Sequence, residues 1–127
     1  MYFFKAAILE QLNSPLSVKE ISCNDPEQGQ VFVKILTSGL CGAQLQEIAG
    51  LKGNGNFLPH LLGHEGCGIV EKIGPAVTKV KVGDKVVLHW KKSDGMESSF
   101  PIYYCENQKI GGGKVTTLSE YSLVSEN

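Results

Sequence analysis

His64 and Glu65 stand side by side in "LLGHEGCGIV" (residues 61 to 70), flanked by Gly63, Gly66 and Gly68. An imidazole and a carboxylate are two of the side chains that bind metals or move protons, and the glycines leave the backbone around them free to bend. Cys41 is the other residue of interest. A thiolate and an imidazole are natural zinc ligands, and a catalytic zinc needs three protein ligands with a fourth position open. Glu65 is a candidate third ligand or a close outer carboxylate. In an extended strand residues 64 and 65 point to opposite faces, so only a bend brings both to one ion. The residue types alone leave a buried cysteine and a hydrogen-bonded core histidine as the commoner alternative. His60 and His64 at i and i+4 suggest a zinc protease, but there the glutamate must follow the first histidine, and Pro59 and Gly63 oppose a helix.

Other chemistry is excluded by motif. No G-x-G-x-x-G lies between a strand and a helix, and there is no Walker sequence and no G-x-S-x-G elbow. The chain therefore carries no nicotinamide-binding motif of its own. Cys23, Cys41, Cys67 and Cys105 include no C-x-x-C pair, which rules out structural zinc of the paired-cysteine kind.

The elements that must hold these residues read as mostly β. The 127 residues are 42% apolar and 20% charged, enough for one soluble domain with one core. Strands are expected at 4–9, 17–22, 30–39, 68–74, 84–90 and 119–124, separated by turn chemistry such as Asn13-Ser14-Pro15, Gly74-Pro75 and Gly83-Asp84. Several short strands at that spacing suggest an all-β barrel or sandwich. In "CGAQLQEIAG" (41 to 50), Leu45, Ile48 and Ala49 recur at helical spacing before Gly50, predicting one or two helical turns directly after Cys41. Residues 91–114 lack periodicity and read as an exposed excursion. The formal charge of -1, with lysines dispersed, offers no footprint for nucleic acid or an anionic membrane. Apolar runs fall far short of the roughly 20 residues of a membrane span. The absence of a signal segment makes the reducing cytoplasm the expected compartment.

The ordered stretches "SGLCGAQLQEIAG", "LPHLLGHEGCGIVEKIGPAVTKVKVGDKVVLHW" and "TTLSEYSLVSEN" resemble the N-terminal catalytic domain of the zinc-containing medium-chain alcohol dehydrogenases, the domain with the GroES-like fold. The resemblance covers nearly all of residues 1–127. It implies a partly open β-barrel with one or two short helices, a catalytic zinc, and oxidation of a small-molecule alcohol or polyol by hydride transfer to NAD(P). By that resemblance Cys41 and His64 match two zinc ligands, and Glu65 matches a glutamate close to the metal. Gln44 takes the place of an aspartate that orients the ligand histidine. Gln46 occupies a position where some members carry a histidine in the proton relay, and Trp90 one where members often have a bulky pocket residue, a core aromatic at the strand end being the equal alternative for Trp90. A hydroxyl that relays the alcohol proton in the family is replaced by Ala43, so no complete proton relay is present and any alcohol activity needs another path, such as water. Four clustered cysteines of a second, structural zinc are represented by Cys105 alone, so none is expected. The third ligand and the nucleotide-binding domain of the family lie beyond the matched region, so the chain is expected to be a catalytic-domain fragment, inactive alone and binding NAD(P) only with that further domain. The alternative is a stand-alone GroES-like module for binding or homo-oligomerisation, without metal chemistry.

Overall fold

The computed structural model describes residues 1–40, 42–49, 59–89, 98, 101–106, 108–110 and 115–126. Among the described residues nine strands and one short helix follow in order: β1 (Tyr2–Leu9), β2 (Ser17–Cys23), β3 (Gln30–Ser38), α1 (Gly42–Ile48), β4 (His60–Leu61), β5 (Glu65–Ile73), β6 (Lys85–His89), β7 (Tyr103–Cys105), β8 (Gln108–Ile110) and β9 (Tyr121–Ser125). They form two antiparallel sheets, β4-β1-β2-β7-β8 and β6-β5-β3-β9. All six expected strands are present, displaced by a few residues at their ends. None of the helices among the described residues is long and apolar enough to cross a membrane.

Alternation explains which faces are buried. Along β1, Phe4, Ala6 and Ile8 point into the core, whereas Phe3 and Lys5 face out. The turn from β1 to β2 passes through Asn13 at φ 55°, a left-handed conformation that asparagine tolerates. β3 is buried on both faces. Phe32 joins a cluster with Phe4, Ala6, Ile8, Ile21, Leu61 and Tyr103, while Val31 and Val33 pack with Val70, Leu88 and Val124 on the other side. That two-sided burial suits the continuous apolar run "VFV" at its start.

The sheets meet without merging into one closed ring among the described residues, in keeping with a partly open barrel. Ala6 bridges to Ser119, Ala7 N–H donates to Leu118 O at 2.9 Å, and Glu120 N–H donates to Lys5 O at 2.9 Å. Aromatic rings line the junction: Phe32 stacks on Tyr121 with centroids 4.9 Å apart, and Phe4 meets Tyr103 edge-on at 6.3 Å.

Residues 91–114 are more than an exposed excursion. Their described part includes the hairpin β7–β8, with Tyr103 fully buried and Ile110 in the core. The three-residue strands are too short to show periodicity in sequence, and tertiary packing alone makes them strands.

Burial also sets an alkaline limit on stability. Removal from water pushes the Cys23 thiol from 9.0 up to about 12 and raises the Tyr103 phenol as well. Both groups hold their protons more tightly folded than unfolded, so their stabilisation is complete below the unfolded values and is lost as pH climbs through the folded ones. We expect the urea midpoint to hold up to about pH 9 and to fall between there and pH 12. Cys23→Ala should soften the fall, and a midpoint unchanged at pH 11 would contradict the assignment.

Candidate metal centre

The chain reaches the candidate site from two directions. β3 is bent by register irregularities against β5 between Phe32 and Val33 and between Ile35 and Thr37. Bulges of this kind re-aim a strand's end, here Thr37 and Ser38, and carry it to Gly39. The second approach is the Leu62–His64 stretch before β5. Gly63 lies at φ 97°, where an L side chain is strained, and a Cβ there would also collide with the Thr117 hydroxyl. The bend expected beside His64 is therefore made at Gly63. Gly66 serves differently: it lies within β5, and a Cβ there would sit 2.7 Å from Thr37 O, so its role is close approach of β3. Thr117 closes the rear, its hydroxyl 2.8 Å from Ser38 Oγ.

His64 is half-buried, and its Nδ1 lies 2.9 Å from Nε2 of Gln44. Gln44 is on α1 and only 3% exposed. The helix forms directly after Cys41, as its spacing predicts, but the apolar residues do not define its inner face. Leu45 is 71% exposed while polar Gln44 turns inward. An amide contacting the imidazole outweighs the placing of one leucine, because a buried polar atom without a partner is costly. Ile48 O anchors the far end of α1 by accepting from Asn13 N–H at 2.6 Å.

Glu65 opens β5 opposite His89, and its backbone oxygen accepts from Gly39 N–H at 2.9 Å and from Ser38 Oγ at 3.4 Å. Its side chain lies across Gly39, where a Cβ would come within 2.5 Å of Oε1 and 2.8 Å of Cδ. Glu65 is exposed, so this carboxylate is reachable from solvent.

His64 and Glu65 are thus held by Gln44 and Gly39, three residues after and two residues before Cys41 in the chain. Cys41 and Trp90 lie outside the described residues. Ala43 is on α1, and Gln46, also on α1, is exposed. Among the described residues no three His, Cys, Asp or Glu side chains gather as a metal group. The donors nonetheless suit a divalent ion. A ligand histidine usually donates its second ring N–H to a neighbour, and the Gln44 amide at Nδ1 can take that hydrogen bond when its oxygen faces the ring, with Nε2 then open to a metal and a carboxylate as its sequence neighbour. Sequence reasoning missed Gly39, Ser38 and Thr117. For Gly39 the "SG" before "LCG" was a usable signal; Thr117 had none, since its contact spans 79 positions.

Comparison with known proteins follows the same lines. Residues 27–127 match the family described as the alcohol dehydrogenase GroES-like domain. An alcohol dehydrogenase class-3 of Dictyostelium discoideum is 45% identical over 83 residues, covering 65% of this chain and 22% of that protein. Alcohol dehydrogenase 6 of Peromyscus maniculatus is 40% identical over 122 residues, covering 96% and 31%. The chain thus spans less than a third of the length of these relatives. Among solved structures, an alcohol dehydrogenase zinc-binding domain protein from Burkholderia ambifaria superimposes with a TM-score of 0.84 at 22% identity, covering 99% of this chain and 40% of that one. Benzyl alcohol dehydrogenase from Acinetobacter calcoaceticus gives 0.78 at 23% identity, covering 100% and 40%. At those identities the likeness establishes the fold alone. The family match and the fold agree, and the chain belongs to the alcohol dehydrogenase GroES-like domain family.

Proposed function

We propose that residues 1–127 form the zinc-site domain of a zinc-dependent alcohol or polyol dehydrogenase, which works only with a nucleotide-binding domain that supplies NAD(P). The observation that carries this reading is the pairing of His64 with Gln44 and of Glu65 with Gly39, the residues three after and two before Cys41 in the sequence. Cys41 and His64 would hold the metal, with Glu65 as a third ligand or near neighbour that exchanges with water. When bound, zinc acts as a Lewis acid that lowers the pKa of an alcohol oxygen.

This chain's residues do the rest. Gln44 fixes the imidazole ring of His64 through Nδ1; with its amide turned so that the carbonyl oxygen faces the ring, it would accept a hydrogen bond from Nδ1–H and leave Nε2 free for the metal. Ala43 has no proton to pass, so the substrate proton leaves by water rather than through a hydroxyl at that position. By the family resemblance, Gln46 and Trp90 would border the substrate. Two strong ligands and an exposed carboxylate make a weak site in isolation, because affinity depends on the whole set of deprotonated ligands.

The test compares the isolated chain with the same domain joined to a nucleotide-binding domain, each assayed with NAD(P), zinc and a panel of alcohols and polyols. Zinc-dependent turnover is expected in the joined protein alone. Turnover by the isolated chain would refute the requirement for a partner domain. A specific oligomer that takes up no zinc at saturating metal would replace the reading with that of a binding module.

A further inference from the structure

Gly39 has no catalytic group, yet the Glu65 side chain lies directly on it. A methyl at position 39 would come within 2.5 Å of Oε1 and 2.8 Å of both Cγ and Cδ. The encroached atoms are side-chain atoms, so the backbone of β5 need not move; the carboxylate must. The backbones are meanwhile joined, Gly39 N–H donating to Glu65 O at 2.9 Å. No left-handed φ explains the glycine, since Gly39 is not among the residues of positive φ. What the position requires is the missing side chain. Gly66, one residue beyond Glu65, is tight for a different reason, because there the obstacle is the Thr37 carbonyl of the neighbouring strand.

We propose that Gly39 is a positioning residue for the metal centre: its bare α-carbon is the notch in which the Glu65 carboxylate lies, and it thereby sets where the oxygen donor next to His64 is held. This rests on the proposed reading of Cys41, His64 and Glu65 as the metal's surroundings. A single methyl at position 39 is then enough to move an otherwise unaltered carboxylate. Because Glu65 is exposed, the displaced side chain has solvent to swing into, and the fold has little reason to fail.

A double-mutant cycle on metal affinity tests this in the intact protein, with cobalt(II) as a spectroscopic probe and zinc in competition. His64→Ala is expected to abolish binding, and binding that does not depend on His64 would sink both the functional reading and this proposal. Glu65→Ala and Gly39→Ala are each expected to weaken binding about tenfold, the lower end for groups that tune a metal's ligands. The diagnostic variant is the pair: Gly39→Ala in the Glu65→Ala background should cause no further loss, since the atoms it would strike are gone. Affinity unchanged in Gly39→Ala, or a loss of the same size in both backgrounds, would overturn the proposal while leaving the metal site in place. Should Gly39→Ala fail to fold by itself, the double variant is expected to fold and to bind cobalt as Glu65→Ala does; failure of both to fold would assign Gly39 to the scaffold and overturn its positioning role.

Discussion

Replacing Tyr103 with phenylalanine is expected to destabilise the protein by about 1–3 kcal/mol, the usual penalty for leaving a buried donor unpaired. Tyr103 is fully buried on β7, in the five-stranded sheet, and its hydroxyl accepts from Leu123 N–H at 2.8 Å on β9, in the four-stranded sheet. Thr116 donates to the same oxygen at 3.3 Å and lies 3.2 Å from Ser122 Oγ. The hydroxyl therefore joins β7 to Thr116 and to β9. Phenylalanine fills almost the same volume, so packing is kept and the loss isolates the polar network. Thr116 can turn to Ser122, but Leu123 N–H has lost its partner in a place water does not reach. Tyr103→Ala adds a cavity and should cost more, about 3–5 kcal/mol by analogy with other large aromatic truncations. Urea unfolding measures both, and a Tyr103→Phe midpoint equal to that of the parent would show that the hydroxyl network contributes nothing.

Gln44→Leu is expected to weaken zinc binding by roughly 10–100-fold, the range found when the partner of a metal-bound histidine is removed. Gln44 is buried against His64, and leucine keeps its bulk while removing the group 2.9 Å from Nδ1. Gln44→Asp is the informative counterpart. A carboxylate only accepts, which holds the ring proton on Nδ1 and leaves Nε2 for the metal, whereas an amide serves either tautomer. The shorter side chain must still reach, and if it does, metal affinity should rise above that of the parent. Competition with a chelator of known affinity gives the measurement for all three proteins. Equal affinity in the Gln44→Leu variant would mean that His64 is oriented by something other than the amide.

Much of this architecture was legible in the sequence because it rests on local periodicity. β1, β2, β3, β5, β6 and β9 each show alternating or continuous apolar patterns, and the glycines and prolines between them mark turns. β4, β7 and β8 were not legible. Strands of two or three residues carry no period, and they exist only because a neighbouring edge offers hydrogen bonds. The helix shows both sides of the matter. Its place followed from spacing, but its orientation did not: the apolar pattern pointed to Leu45, whereas contact with His64 turned Gln44 inward.

The candidate site divides along the same line. Residue type made Cys41, His64 and Glu65 candidates, since the chemistry of thiolate, imidazole and carboxylate is written in the side chains themselves, but the family resemblance was needed to prefer them over a buried cysteine and a core histidine. The family resemblance put Gln44 where members carry an aspartate that orients the histidine, and in the structure its amide lies 2.9 Å from His64 Nδ1. What folding alone decided is how the donors are held: Gln44 against Nδ1 from 20 residues away, Glu65 laid across Gly39, and Thr117 behind Gly63. These are contacts between segments far apart in the chain, made wherever two backbones come close enough that one methyl group would obstruct them. Local pattern carries no term for such an approach, because the distance between segments is set by the packing of the two sheets and not by the residues on either side.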